Sequence, residues 1–245
     1  MSSASTAFHP TVARLTYRAL LGRRRALVLG SLPLLLVVIS VVVRLMAGAD
    51  PQSAVNVLGG FALAAMVPIV GVIAGTGAIG PEIDDGSVMY LLSKPVKRRT
   101  VLLTKLVVAI GVTMVFSAVP TLVSALILAG TADGVAVAYT VAAMVASVAY
   151  ASLFLMLGTI TRHAVVVGLV YALVWEALLG SFVPGARSLS VQQWALAVGG
   201  DLAEGKLVTS EVGTVTGAVL LVVLTVLAAW YGARRLRTLT PATEE

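Results

Sequence analysis

Residues 134–161 read GVAVAYTVAAMVASVAYASLFLMLGTIT, a run of 28 residues without one charged side chain. An apolar helix needs about 20 residues to cross roughly 30 Å of hydrocarbon, so this run is long enough to span a membrane. Its apolar residues are continuous and do not alternate, which favours a helix over a strand of a transmembrane barrel. The stretch therefore predicts a membrane-spanning α-helix.

Five further apolar stretches accompany this run. They are Ala26–Val43, Val57–Gly80, Leu106–Ala132, Ala164–Pro184 (which contains Glu176) and Val212–Ala233. The chain is 59% hydrophobic and only 11% charged, with a mean hydropathy of +1.02. Soluble domains need about 25% charged residues, so soluble enzyme folds are excluded. We predict an all-α polytopic membrane protein with six transmembrane helices in one domain, with a leader at 1–25, a membrane domain at 26–233 and a tail at 234–245.

The basic residues predict the orientation. Fourteen of the 17 Lys and Arg residues fall on one side of the six predicted spans. The three exceptions are Arg44, Arg187 and Lys206. By the positive-inside rule, both termini and the loop between the second and third spans are cytoplasmic. The net charge of +6 is thus explained by topology, and binding to nucleic acid is not expected.

The leader carries a helical pattern. Val12, Leu15, Ala19 and Leu20 recur at helical spacing among several arginines. This pattern favours an amphipathic helix in the cytoplasmic interface, with a basic tail as the alternative.

Two phosphate-binding patterns occur in the wrong context. Residues 75–80 match GxGxxG at the end of a predicted span, and residues 200–206 match GxxxxGK without the Ser or Thr that must follow. The chain has no Cys and two His, which leaves few metal ligands. We therefore expect no nucleotide site, metal or cofactor in this chain.

Small residues four positions apart indicate close helix packing. The pairs are Gly71 with Gly75 and Gly213 with Gly217. The spacing leaves open whether each partner helix belongs to the same subunit or to a second one.

Glu176 is the only acidic residue well inside a predicted span. An ionisable group there is costly unless it is paired or hydrated, so a functional role in an internal cavity is one interpretation and a structural hydrogen bond is the other. At helical spacing, Val165, Leu169, Ala172 and Leu179 or Gly180 are expected on its face.

The loop from Glu82 to Lys105 predicts a short helix outside the membrane. Gly86 ends the preceding helix, and Ser87 can cap a new one that runs to Pro95. Its apolar residues Val88, Leu91 and Leu92 share one face. A helix of two turns is unstable alone in water, so this face needs a partner, either the membrane surface or a groove of another protein.

This loop resembles the cytoplasmic loop of permease subunits of ABC type-2 exporters. The resemblance rests on Glu82, residues 85–87, residues 91–95, Arg98 or Arg99, and Lys105, and it extends to residues 171–193 with Tyr-Ala-Leu-Val-Trp-Glu and Leu-Ser-Val-Gln-Gln-Trp. It implies a coupling helix that contacts a separate ATPase subunit, which holds ATP and magnesium. It also implies that two permease chains pair around a central path. We expect Glu176 to face this interior between subunits, as a candidate residue of the translocation pathway. The implied contact residues are Glu82, Gly86, Ser87, Val88, Tyr90, Leu91, Leu92, Lys94 and Pro95.

The leading hypothesis is therefore a non-catalytic exporter permease that lies in the lipid bilayer of a plasma membrane. The high Ala, Val, Leu and Gly content hints at a GC-rich bacterium as the source, so we expect a bacterial plasma membrane. A secondary transporter with Glu176 as its ion site is an alternative. A metal-dependent phosphotransferase is a weaker one, because residues 82–86 would need a second acidic cluster, DxxxD, that the chain lacks.

Overall fold

The computed structural model describes residues 9–80, 98–131, 134–179, 187–203 and 207–238. Within these ranges the chain is helical and has no strand. The helices are α1 (Pro10–Leu20), α2 (Arg23–Ala47), α3 (Pro51–Gly77), α4 (Arg98–Ala129), α5 (Val135–Ile160), α6 (Ala164–Val170), α7 (Val191–Gly200) and α8 (Thr214–Thr238). Two segments are π-helical, Val57–Met66 inside α3 and Tyr171–Leu179 directly after α6.

Five described helices are long and apolar enough to cross a membrane, which confirms the all-helical membrane fold. They are Arg25–Ala47, Pro51–Gly77, Arg99–Ala129, Val135–Ile160 and Thr214–Leu236. The sixth predicted span, Ala164–Pro184, is not confirmed. The described part of its apolar helix, Ala164–Leu178, has fewer than 18 residues, and at 1.5 Å per residue this part covers about 22 Å. Residues 180–184 of that prediction lie outside the described residues.

Helix α3 begins six residues before the uncharged run predicted, at Pro51 instead of Val57. The Asp50 carboxylate caps it by accepting hydrogen bonds from the backbone N–H groups of Gln52 and Ser53. Hydrogen bonds from Ser53 also lower the pKa of Asp50 below its ordinary value. A proline at the first helical position is compatible with the helix because its missing N–H would be unpaired there anyway. Charged and polar caps of this kind extend helices beyond the hydrocarbon, which a search for uncharged runs does not detect.

Helix α5 is the centre of the bundle and packs against α3, α4, α7 and α8. Its buried face is rich in alanine, and its large buried side chains are Tyr139, Tyr150 and Phe154. Glycines on α3 allow the close approach of these two helices. A Cβ added at Gly71 would lie 2.8 Å from Cβ of Tyr150, and one added at Gly75 would lie 2.8 Å from Cβ of Phe154.

The two glycines of the second pair, Gly213 and Gly217, differ in how closely other helices approach them. A Cβ at Gly217 of α8 would lie 2.8 Å from the Trp194 carbonyl oxygen of α7, whereas one at Gly213 would meet nothing within 4 Å. The partners of Gly71, Gly75 and Gly217 thus lie in the same chain. The spacing alone left this question open.

Helix α7 is a short buried helix between α5 and α8. Seven of its ten residues are buried, and its Gly199 lies directly against the Ala138 carbonyl of α5. Ten residues extend about 15 Å, which is too short to cross a bilayer. The chain therefore places a non-spanning helix against two spanning ones.

The leader contains a helix, α1, whose buried face differs in part from the prediction. Val12 and Leu20 are buried as expected, and Thr16 joins them, whereas Leu15 is 55% exposed and Ala19 is exposed. The reason is that α1 packs against α4 along an i, i+4 stripe. Thr16 can lie in that stripe because its hydroxyl donates to the Val12 carbonyl. The location of α1 at the membrane surface stays a prediction.

Candidate functional site

The predicted partner contact, from Glu82 to Pro95, lies outside the described residues. This holds for each of its predicted members, Glu82, Gly86, Ser87, Val88, Tyr90, Leu91, Leu92, Lys94 and Pro95. The structure does describe the two helix ends that hold this loop, the end of α3 and the start of α4.

Two cations hold the end of α3. The Lys105 ammonium, only 1% exposed, donates to the carbonyl of Ala78, and the Arg25 guanidinium donates to the carbonyl of Gly77 at 3.4 Å. The last carbonyls of a helix have no partner within the helix and carry the negative end of its dipole, so cations are favoured there. Because Lys105 belongs to α4 and Arg25 to α2, the end of α3 is fixed to both neighbours.

The leader is attached at the same place. The backbone N–H of His9 donates to Oγ1 of Thr104 at 3.0 Å, next to Lys105. Leu20, fully buried at the end of α1, lies 3.1 Å from the Cβ position of Gly77. We call this cluster, defined by His9, Leu20, Arg25, the end of α3 at 77–78 and Thr104–Lys105, the loop-base junction. It joins four helices at the base of the predicted coupling loop.

Glu176 forms a second polar cluster inside the bundle. Its side chain is fully buried, and both carboxylate oxygens accept hydrogen bonds. Oε1 accepts from the Tyr171 hydroxyl at 2.9 Å and from the Val191 N–H at 3.0 Å. Oε2 accepts from the Ser190 hydroxyl and from the Gln192 N–H at 3.5 Å. All four described partners belong to this chain and are donors.

The π-helical segment explains how Tyr171 reaches Glu176. In an α-helix, residues five apart point about 140° away from each other. In a π-helix, residue i is hydrogen-bonded to residue i+5, so side chains five positions apart lie on the same side of the helix. The same change of period moves Val165 away from the predicted common face, since it is 50% exposed while Glu176 is buried. The prediction for Val165 was therefore wrong.

Glu176 also caps α7. The first N–H groups of a helix lack internal partners, and a carboxylate there is stabilised by both hydrogen bonds and the helix dipole. Ser190 is the N-cap residue of α7, and its hydroxyl accepts from the Gln193 N–H while donating to Glu176. The carboxylate thus fixes the start of a helix that arrives 14 residues later in the chain.

The cluster extends to α3 and α5. The Gln192 side-chain amide donates to the carbonyl of Gly59, in the π-helical part of α3, at 2.9 Å. The buried Tyr150 ring of α5 stacks on the Phe154 ring, and the Phe154 ring meets the Tyr171 ring edge-to-face. We call Tyr150, Tyr171, Glu176, Ser190 and Gln192 the Glu176 cluster. It links the start of α7 to the middle of the bundle.

The donor character of these partners decides what the cluster can bind. A sodium ion needs several oxygen acceptors, but hydrogen bonds from the chain itself already occupy both oxygens of Glu176. Among the described residues, no group of three or more His, Cys, Asp or Glu side chains could hold a metal ion. The geometry favours the structural interpretation of Glu176 over an ion site. A role for Glu176 in the translocation pathway stays a prediction.

Sequence reasoning singled out Glu176 and Lys105 but not their partners. Tyr171, Ser190 and Gln192 lie in the quoted segment 171–193, where only the resemblance gave a signal. The Ala78 carbonyl that Lys105 contacts carries no sequence signal, because every residue has a carbonyl.

The comparisons with known proteins identify one family. The family described as "ABC-2 family transporter protein" matches residues 11–233 of the 245. No curated protein matches the chain. The match includes the loop-base junction from Leu20 onward and the whole Glu176 cluster. The chain therefore belongs to the ABC-2 transporter family and is a membrane subunit of an ABC transporter.

Proposed function

We propose that this chain is the permease subunit of an exporter and that a separate ATPase subunit drives it through the loop at 82–95. Both termini face the cytoplasm of a bacterial plasma membrane, and residues 1–245 form one permease domain. ATP and magnesium bind to the partner, and this chain holds no cofactor of its own. Two permease chains, identical or different, pair around the translocation path.

The loop-base junction is the observation that carries this proposal. A push on the coupling loop reaches the membrane only if the flanking helices do not yield. Lys105 and Arg25 bond the end of α3 to α4 and α2, so these helices respond together at that end. The Lys105 bond is buried and the Arg25 bond is partly buried, and charge-assisted hydrogen bonds are suited to this because they contribute more than neutral ones.

A second set of contacts supports transmission across the membrane. Helix α3 runs from the loop-base junction to its π-helical segment, where the Gly59 carbonyl accepts from Gln192 of α7. A movement of α3 therefore acts on the Glu176 cluster as well. We propose that this route couples ATP-driven movement at the loop to the opposite side of the bundle.

The coupling role predicts a large effect of Leu91→Asp. The charge would be desolvated against the groove of the ATPase, at a cost of about 1–3 kcal/mol. We expect co-purification of the ATPase subunit and transport in proteoliposomes to fall about fivefold or more, with unchanged insertion of the permease. Leu202→Asp, at a leucine that is 48% exposed on the opposite predicted side, serves as the matched control.

The purified permease alone is expected to show only background ATP hydrolysis. Normal ATPase capture and transport by Leu91→Asp, or hydrolysis that persists after removal of all partner subunits, would contradict the proposal.

The orientation is tested with single cysteines, since the natural chain has none. Lys97→Cys is expected on the cytoplasmic side and Lys206→Cys on the outside. On intact cells, a membrane-impermeant maleimide should label position 206, and it should label position 97 only after permeabilisation. Labelling of position 97 alone on intact cells would reverse the orientation.

A further inference from the structure

A basic cavity lies between the start of α4 and the end of α8, away from both clusters described above. Its volume is about 240 Å³, and it is lined by Arg99, Trp230, Ala233 and Arg234. The two helices pack against each other beside the cavity. The Cβ position of Gly232 on α8 lies 3.6 Å from Leu102 of α4 and 3.6 Å from Met156 of α5. These are ordinary van der Waals distances, so the end of α8 packs directly beside α4 and α5 next to the cavity.

The cavity concentrates positive charge without a carboxylate. Among the described residues, neither Arg99 nor Arg234 has an acidic partner, and both side chains are exposed. The Arg234 guanidinium lies over the Trp230 ring, 5.4 Å from its centroid. A guanidinium held on an aromatic face is oriented in advance, and its fork of N–H donors matches the oxygens of a phosphate. Two guanidiniums in one cavity repel each other, and an anion bound between them removes this repulsion.

The position of the cavity indicates the source of that anion. The preceding turns of α8 expose Val222, Val223, Val226 and Leu227, and only 22% of its apolar window is buried within the chain. This surface is suited to contact with lipid acyl chains. Trp230, 51% exposed, follows directly, as expected for an aromatic residue at the membrane interface. The arginines thus lie at the level of the lipid headgroups.

We propose that Arg99 and Arg234 form a binding site for the headgroup of an anionic phospholipid, with Trp230 at the boundary of its acyl chains. A zwitterionic lipid has the same phosphate, but its ammonium group would meet the second arginine unfavourably. The site therefore selects for net negative charge. This inference goes beyond the proposed function and does not depend on it, because lipid binding is measured without the ATPase.

Native mass spectrometry of the purified full-length chain tests the site. The protein is released from detergent after addition of phosphatidylglycerol or phosphatidylcholine with identical acyl chains. We expect preferential retention of phosphatidylglycerol. Arg234→Gln should weaken retention about fivefold and the double variant Arg99→Gln/Arg234→Gln about thirtyfold, on the scale of one and two arginine contacts with an anionic headgroup. Arg234→Lys, which keeps the charge but loses the fork, should lie in between.

The matched control for Arg234→Gln is Arg162→Gln, which removes the same charge from an exposed arginine on the same predicted side and away from α1. It should retain phosphatidylglycerol as the unaltered chain does. All variants should melt alike, since the substituted side chains are exposed.

Four results would overturn the site. The first is equal retention of the two lipids, and the second is an equal loss in the control. The third is displacement of phosphatidylglycerol by inorganic phosphate at the same concentration as the lipid, which would assign the cavity to a soluble phosphate compound. A double variant that keeps its lipid but no longer captures the ATPase would assign the cavity to a protein contact and would also overturn the proposal.

Discussion

Glu176→Ala is expected to lower the free energy of unfolding by about 3–5 kcal/mol, the scale for removing one partner of a buried charged network. The substitution leaves four donors without an acceptor, namely the hydroxyls of Tyr171 and Ser190 and the N–H groups of Val191 and Gln192. Each unsatisfied buried donor is costly because no water replaces the lost acceptor. Thermal unfolding of the purified chain in detergent measures the effect.

Graded and control variants separate the interpretations of Glu176. Glu176→Gln keeps the shape and one acceptor oxygen, so it should cost about 1–3 kcal/mol. Glu211→Ala, which removes an exposed carboxylate paired with Arg187 at 2.9 Å, should change the unfolding free energy by about 0–1 kcal/mol. If Glu176→Gln melts normally but transport falls, the carboxylate acts in the translocation pathway and the structural interpretation is wrong.

Gly75→Leu is expected to prevent the close packing of α3 on α5. Even the first added carbon, Cβ, would lie 2.9 Å from the Leu155 nitrogen and 3.0 Å from the Ala151 oxygen, both backbone atoms. Backbone atoms of a packed helix cannot rotate away as a side-chain end can, so the two helices must separate. Overpacking of this kind costs about 1–3 kcal/mol for small additions, and Leu should reach or exceed the upper end.

Gly111→Leu on α4 is the matched control, because nothing lies within 4 Å of its Cβ position. It should be neutral or slightly stabilising, since glycine is a poor helix former. The comparison is made by the melting temperature and by the yield of monodisperse protein. A Gly75→Leu variant as stable as Gly111→Leu would mean that α3 and α5 are further apart than described here.

The sequence predicted the membrane spans better than the contacts between them. Hydrocarbon requires long apolar runs whatever the neighbours are, so composition alone located five helices. Glu176 was identifiable because a carboxylate inside such a run is rare and costly. Its partner Tyr171 was not, because the π-helical segment changes which residues share a face. Lys105 contacts a carbonyl 27 residues away, and such a pairing depends on the tertiary arrangement of α3 and α4.

The position of Glu176 in an apolar helix also affects how the chain is made. During synthesis, segments enter the translocation channel one after another, and a segment is inserted into the bilayer when its own free energy of transfer into the membrane is favourable. Glu176 within the apolar helix that begins at Ala164 opposes insertion. The groups that neutralise this cost, Ser190 and the start of α7, leave the ribosome only later. Stable insertion of the last third of the protein thus has to await synthesis of α7, and truncation before residue 190 would leave the preceding segment as a substrate for quality-control proteases.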